Sequence, residues 1–134
     1  MSQKISKGIK DLLCDANQIV TTVSIEKCKS LHKNKNFVFV DLRDYRELLK
    51  EGKIPGAFSC PRGMLEFWID PDSPYHKEFF NQDKTYIFYC ASAWRSALAA
   101  KAAMEMGLNP VVHLKGGFNE WLKKGGTIET VHKK

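Results

Sequence analysis

Tyr86-Ile87-Phe88-Tyr89-Cys90-Ala91-Ser92-Ala93-Trp94-Arg95-Ser96 is the stretch on which the fold turns. Its first four residues are continuously apolar or aromatic, the mark of a strand buried on both faces, as in parallel sheets. Cys90 leaves that strand and a short loop follows. Ser96 to Met106 is an Ala-rich run that reads as a helix, stopped by Gly107. In open α/β sheets, active sites lie beyond the carboxyl ends of strands. The segment from Cys90 to Arg95 occupies such a position.

Outward from this unit, strands and helices alternate. On the N-terminal side, Ile5, Ile9, Leu12, Leu13 and Ala16 recur at helical spacing, and Ile19 to Val23 reads as a strand. A helix over Ile25 to His32 starts at the good N-cap Ser24; a doubly buried strand over Phe37 to Val40 and a polar helix over Tyr45 to Lys50 follow. Ile54-Pro55-Gly56 is a turn, and Ala57 to Cys60 is a short strand closed by Pro61. Short helices over Met64 to Ile69 and His76 to Phe80 flank a proline-rich corner. On the C-terminal side come a strand over Pro110 to Leu114 and a helix over Phe118 to Lys124. Hairpin signals are missing, and neither a repeat nor a linker interrupts the pattern. It predicts an α/β architecture with a parallel sheet and helices on both faces.

The 134 residues fit a single domain, divided as an N-terminal helix over 1–17, the domain proper over 18–128 and a short tail over 129–134. No apolar run approaches a membrane span. Met1 to Lys7 lacks the apolar centre of a secretory leader, so the expected compartment is cytoplasmic. The net charge is +6, but the lysines are scattered without interleaved aromatics. That distribution suits a solvated surface that attracts small anions, and it predicts neither a nucleic-acid partner nor a membrane surface. Cys14, Cys28, Cys60 and Cys90 show no zinc spacing, so free thiols are expected and no metal or cofactor is called for.

Cys90 alone favours the bland reading, since a lone cysteine after a strand is usually a small buried hydrophobe. Its setting raises the reactive reading to equal weight. Backbone N–H groups of a tight loop can converge as an anion nest, and the first N–H groups of the next helix add a positive dipole end. Helix N-termini and nearby cations lower a thiol's pKa. Arg95 supplies a planar guanidinium suited to an anion or to bracing the loop.

Four further motifs, in order along the chain, resemble the rhodanese-like family: Asp41-Leu42-Arg43, Gly52-Lys53-Ile54-Pro55-Gly56-Ala57, the six residues Cys90 to Arg95, and Leu114-Lys115-Gly116-Gly117-Phe118 with Trp121. The resemblance implies a five-stranded parallel sheet flanked by helices and sulfur-transfer chemistry. Cys90 would take a sulfane sulfur from thiosulfate or a similar small anionic donor. A thiol or cyanide acceptor, or a sulfur-relay protein, would then remove it. Ala91, Ser92, Ala93 and Trp94 would form the substrate-binding loop, with Cys90 and Arg95 as catalytic residues. Phosphatases of the same fold, as the resemblance implies, use a loop one residue longer. The four residues between Cys90 and Arg95 thus favour sulfur over phosphate or arsenate. A non-catalytic binding or regulatory module is the other alternative, against which stands the presence of Cys90.

Ala93 stands where many relatives have glycine, and Lys53 replaces a usual histidine. Asp41 is read as hydrogen-bonding backbone near the loop rather than acting as a general base. Arg43 is expected to pair with a nearby acid such as Glu47, in a structural role. Arg62 follows a strand end and either faces the same mouth to bind an anionic donor or does not. Trp94 is expected in the wall of the mouth, Cys60 in the interior, and His113 in ordinary strand packing.

Overall fold

The computed structural model describes residues 2–133. Five strands, β1 (Thr21–Val23), β2 (Phe37–Asp41), β3 (Phe58–Ser59), β4 (Thr85–Tyr89) and β5 (Val111–Leu114), form one sheet in the order β1-β5-β4-β2-β3. Every pairing in it is parallel. Among the described residues, six α-helices surround it: α1 (Ile9–Ile19), α2 (Ile25–Leu31), α3 (Tyr45–Glu51), α4 (Leu65–Ile69), α5 (Trp94–Met106) and α6 (Gly117–Lys123). None of them is long and apolar enough to cross a membrane among the described residues.

The continuous apolar runs of β2 and β4 have the predicted cause. Val40, Tyr86 and Phe88 face a core closed by Ala99, Ala100 and Ala103 of α5. Phe39, Ile87 and Tyr89 face the opposite core, closed by Ile25, Cys28, Phe118 and Trp121. Alternate side chains of a strand point to opposite faces, so a central strand covered on both sides must be apolar throughout.

Several boundaries depart from the sequence reading: Ile19, expected to open a strand, instead ends α1, and β1 starts only at Thr21. The first helix starts at Ile9, with Gly8 as its N-cap and the Gly8 N–H donating to Asp11 Oδ2 at 2.9 Å; Ile5 lies outside it and is exposed. The expected helix over His76 to Phe80 shrinks to a 3₁₀ turn over Glu78–Phe80. Lys77 is extended there because its N–H bonds the Trp68 carbonyl at 3.0 Å and its ammonium lies 5.2 Å from the Trp68 ring centroid. A helix start also differs at the site: α5 begins at Trp94, two residues early, because Ala93 turns the chain with φ +74°.

Glu129 and His132 are tied to the domain. Glu129 and Lys53 exchange backbone hydrogen bonds at 2.8 and 3.0 Å, and the Gly56 N–H donates to Glu129 Oε1 at 2.9 Å. Tyr45 donates from its hydroxyl to the His132 carbonyl at 3.0 Å. A Cβ on Gly52 would lie 2.9 Å from the Glu129 carbonyl oxygen, so the glycine lets this strap pass. Lys53 serves the same corner, donating to the Ala57 carbonyl at 2.8 Å.

Candidate active site

Cys90 sits immediately beyond β4, between the neighbours β2 and β5. It is 1% exposed, yet its sulfur faces polar groups. The Ser96 N–H donates to Sγ at 3.4 Å, and Ser96 Oγ lies 3.7 Å from it. Ser96 is in the first turn of α5, where N–H groups have no partner inside the helix. Among the described residues, the N–H groups of Ala91, Ser92, Ala93, Trp94 and Arg95 have no protein acceptor. They follow Cys90 in sequence, as an anion-binding nest requires.

The carbonyls of that loop are turned the other way and held by α6. The Phe118 N–H donates to the Cys90 carbonyl at 2.7 Å, and the Asn119 N–H to the Ala91 carbonyl at 3.0 Å. This contact explains the paired glycines. Gly116 and Gly117 both have positive φ, +73° and +67°. A Cβ on Gly117 would lie 2.5 Å from the Cys90 carbonyl oxygen and 2.6 Å from that of Ala91. Only glycine permits so close an approach of two backbones.

Arg95 is anchored across the mouth. Its Nη1 and Nη2 donate to Glu47 Oε2 and Oε1 at 2.8 and 3.0 Å, a bidentate fork. Glu47 is itself fixed in a capping box of α3, with Oε2 accepting the Asp44 N–H at 2.9 Å. Hydrogen bonding to Arg95 holds the Glu47 carboxyl below the usual carboxylate range. The Glu47 carboxylate, and to a smaller degree the Cys90 sulfur, holds Arg95 above its ordinary value.

Arg43 does pair with nearby acids, but Glu47 is not among them, because it is committed to Arg95. Arg43 instead makes a buried ion pair with Asp41, from Nη2 to Oδ2 at 2.8 Å and from Nε to Oδ1 at 3.0 Å. It also donates to the Gly52 carbonyl at 2.7 Å and to Glu51 at 3.0 Å, and lies 4.2 Å from the Phe118 ring centroid. Burial alone would lower the Arg43 pKa, but Asp41 more than offsets it and holds the guanidinium above its ordinary value. Asp41 also accepts the Arg43 N–H at 3.0 Å, a bond within its own turn rather than to the Cys90 loop.

The remaining residues sort by position. Arg62 lies at the carboxyl edge of the sheet, with its N–H on the Leu42 carbonyl at 3.2 Å and its guanidinium paired to Glu66 at 2.9 Å. Trp94 is 56% exposed at the start of α5. Cys60 is fully buried, and burial pushes its thiol up to about 12. It follows β3, on the far side of β2 from Cys90. Two strand spacings, about 9–10 Å, separate such positions, too far for a disulfide without backbone movement.

The sequence reading missed the polar character of His113. Its ring is buried, with Nδ1 2.9 Å from Ser96 Oγ and Nε2 3.1 Å from Thr22 Oγ1. The available signal was a polar residue at an inward position of an apolar strand, Val111-Val112-His113-Leu114, with a serine directly after Arg95.

A parallel sheet in this order, with a cysteine under a loop of free N–H groups at the carboxyl end of its central strand, defines a rhodanese-like domain. The chain belongs to the rhodanese-like family, with residues 24–124 matching the Rhodanese-like domain. It is 30% identical over 105 residues to the mouse thiosulfate sulfurtransferase/rhodanese-like domain-containing protein 3, covering 75% of this chain and 67% of that one. Among solved structures, it is similar to a Rhodopseudomonas palustris protein of unknown function described as a possible tyrosine phosphatase. That similarity has 54% identity and a TM-score of 0.94, covering 96% and 99% of the two chains. The human single-domain sulfurtransferase TSTD1 superposes with a TM-score of 0.68 at 25% identity, covering 80% of this chain and 99% of its own.

Proposed function

We propose that this chain is a sulfurtransferase that carries a sulfane sulfur as a persulfide on Cys90. The observation that carries the reading is the Cys90 sulfur facing the Ser96 N–H at 3.4 Å, followed by a loop whose N–H groups have no acceptor among the described residues. In the first half-reaction the Cys90 thiolate attacks the outer sulfur of thiosulfate. The thiosulfate S–S bond breaks, sulfite leaves with the bonding pair, and Cys90 holds a persulfide anion. A thiol or cyanide then attacks the terminal sulfur and regenerates the thiolate. Preorganised N–H groups from Ala91 to Trp94 stabilise the transferred sulfur's negative charge. Arg95, fixed by Glu47, adds positive charge at the rim. Arg62 is assigned to the anionic donor, which would compete with Glu66 for its guanidinium. A sulfur-relay protein in the cytoplasm is a further acceptor consistent with this chemistry.

The test is intact mass after incubation with thiosulfate. Wild type is expected to gain one sulfur and Cys90→Ser none; an adduct that persists in Cys90→Ser overturns the assignment. A second reading, phosphatase chemistry, draws on the description of the Rhodopseudomonas palustris protein. The short Cys90–Arg95 loop disfavours it. Phosphate release from an aryl phosphate without sulfur loading would replace the first reading with the second.

A further inference from the structure

Ser96 has one hydroxyl proton and two neighbours that can take it. Its Oγ lies 3.7 Å from Cys90 Sγ and 2.9 Å from His113 Nδ1. The other ring nitrogen, Nε2, lies 3.1 Å from Thr22 Oγ1. Cys90, Ser96 and His113 are buried, whereas Thr22 is exposed on the edge strand β1. The four groups form one chain from the sulfur to the solvent.

Each group in the chain has a single proton to place, so all links must point the same way. With Cys90 as a thiol, S–H donates to Ser96 Oγ, Ser96 donates to Nδ1, and Nε2–H donates to Thr22. With Cys90 as a thiolate, Ser96 donates to the sulfur, Nδ1–H donates to Ser96, and Thr22 donates to Nε2. The two directions use opposite tautomers of one neutral ring. Burial holds the His113 ring below its ordinary pKa, which keeps it neutral. The groups facing it are Thr22 from β1, Phe88 from β4 and Ser96 from α5, with Cys90 beyond. Ionic groups on the neighbouring helices are engaged elsewhere: Asp15 by Lys7, Lys101 by Glu105 and Arg95 by Glu47.

We propose that Ser96, His113 and Thr22 are the proton exit of Cys90, and that His113 is a positioning residue whose tautomer follows the state of the sulfur. The transfer balances without any co-reactant. The thiol proton moves to Ser96 Oγ as the Ser96 proton moves to Nδ1. The Nε2 proton moves to Thr22 Oγ1, and the Thr22 proton passes to water. A thiolate remains inside and one proton appears outside, although the sulfur itself is only 1% exposed. The proposal rests on Cys90 acting as a thiolate, so its test reads the sulfur's ionisation and not sulfur transfer.

The experiment titrates the ultraviolet thiolate absorbance of each protein against its Cys90→Ser counterpart. Nitrogen NMR of the His113 ring in the wild type accompanies it. Ser96→Ala and His113→Phe are expected to raise the Cys90 midpoint by about one pH unit, tenfold less thiolate at a given pH below it, the scale of one hydrogen bond to a charged group. Thr22→Val is expected to move it the same way by less. The His113 shifts should exchange one neutral tautomer for the other across the Cys90 titration and stay fixed in Cys90→Ser. Unmoved midpoints in folded His113→Phe and Thr22→Val, or ring shifts flat across the titration, would overturn the proposal. If His113→Phe does not fold, Thr22→Val and the wild-type ring decide it. Loss of sulfur loading with these titrations intact would count against sulfur transfer and leave the proton exit standing.

Discussion

Gly117 and Cys90 meet backbone to backbone: a Cβ placed on Gly117 would stand 2.5 Å from the Cys90 carbonyl oxygen. The helix that follows this glycine fastens the loop from behind through the Phe118 and Asn119 N–H groups. With the carbonyls held there, the N–H groups remain free for an anion. Stability and chemistry are therefore coupled at one glycine.

Gly117→Ala is expected to lose sulfur loading and to cost more than the about 1–2 kcal/mol of a left-handed alanine, since the clash adds to it. Gly56→Ala is the control. Its φ is +79°, but an added Cβ there meets nothing within 4 Å, so only the backbone cost applies. Thermal melts of both variants with thiosulfate loading check the contrast; equal losses in the two would remove the packing argument.

Ala93 is the one non-glycine residue with positive φ among the described residues, at +74°. Ala93→Gly relieves that strain and is expected to raise stability by up to about 1 kcal/mol, the gain being reduced by the freer unfolded chain. Denaturant midpoints at constant slope measure it. A destabilised Ala93→Gly would show that the alanine side chain contributes packing that outweighs its strain.

Glu47→Gln removes the acceptor that holds Arg95. Sulfur loading should slow, and the stability loss should be at most about 1 kcal/mol, because Arg95 is 39% exposed and solvent screens the pair. The folded pKa of Glu47 is lowered, so its stabilisation is present above the unfolded value of about 4.3 and is lost as pH falls through the folded value. The gap between wild type and Glu47→Gln should therefore be constant near neutrality and close in acid. A gap that widens in acid would contradict the pairing.

Asp41→Asn removes the buried counter-charge of Arg43 and leaves it only the part-exposed Glu51, and should cost about 3–5 kcal/mol. As a structural partner of Arg43, Asp41 should leave the pH dependence of sulfur loading by surviving folded protein unchanged. A lost acidic limb in that profile would instead make it a general base.

Burial pushes the Cys28 and Cys60 thiols up to about 12. Both contribute stability that is complete below the unfolded cysteine value of about 8.5 and is lost as pH rises above it. Between about pH 8.5 and 10, before unfolded tyrosines ionise, wild-type stability should fall with pH. Replacing both cysteines with alanine should flatten that slope, as urea unfolding at stepped pH would show.

Much of the frame was legible because it rests on local rules. The apolar runs of β2 and β4 announced double burial, and Ser24 and Gly107 marked helix ends through capping chemistry. The partners of charged groups were less legible. Glu47, four residues along, was the acid suggested for Arg43. The fold chose otherwise, because Asp41 on the same strand end captured the Arg43 fork first. His113 read as packing because nothing local joins it to Ser96 or Thr22, its partners on other elements.

The order of strands and helices, the cysteine loop and the glycine pairs were determined by the sequence, since periodicity, turn chemistry and backbone freedom are properties of neighbouring residues. Which side chains share a hydrogen bond was decided only by tertiary structure. The Glu47–Arg95 fork, the Asp41–Arg43 pair as a buried centre and the line from Cys90 to Thr22 each join groups whose distances are set by packing. Electrostatic and hydrogen-bond energies depend steeply on those distances, and sequence separation does not encode them.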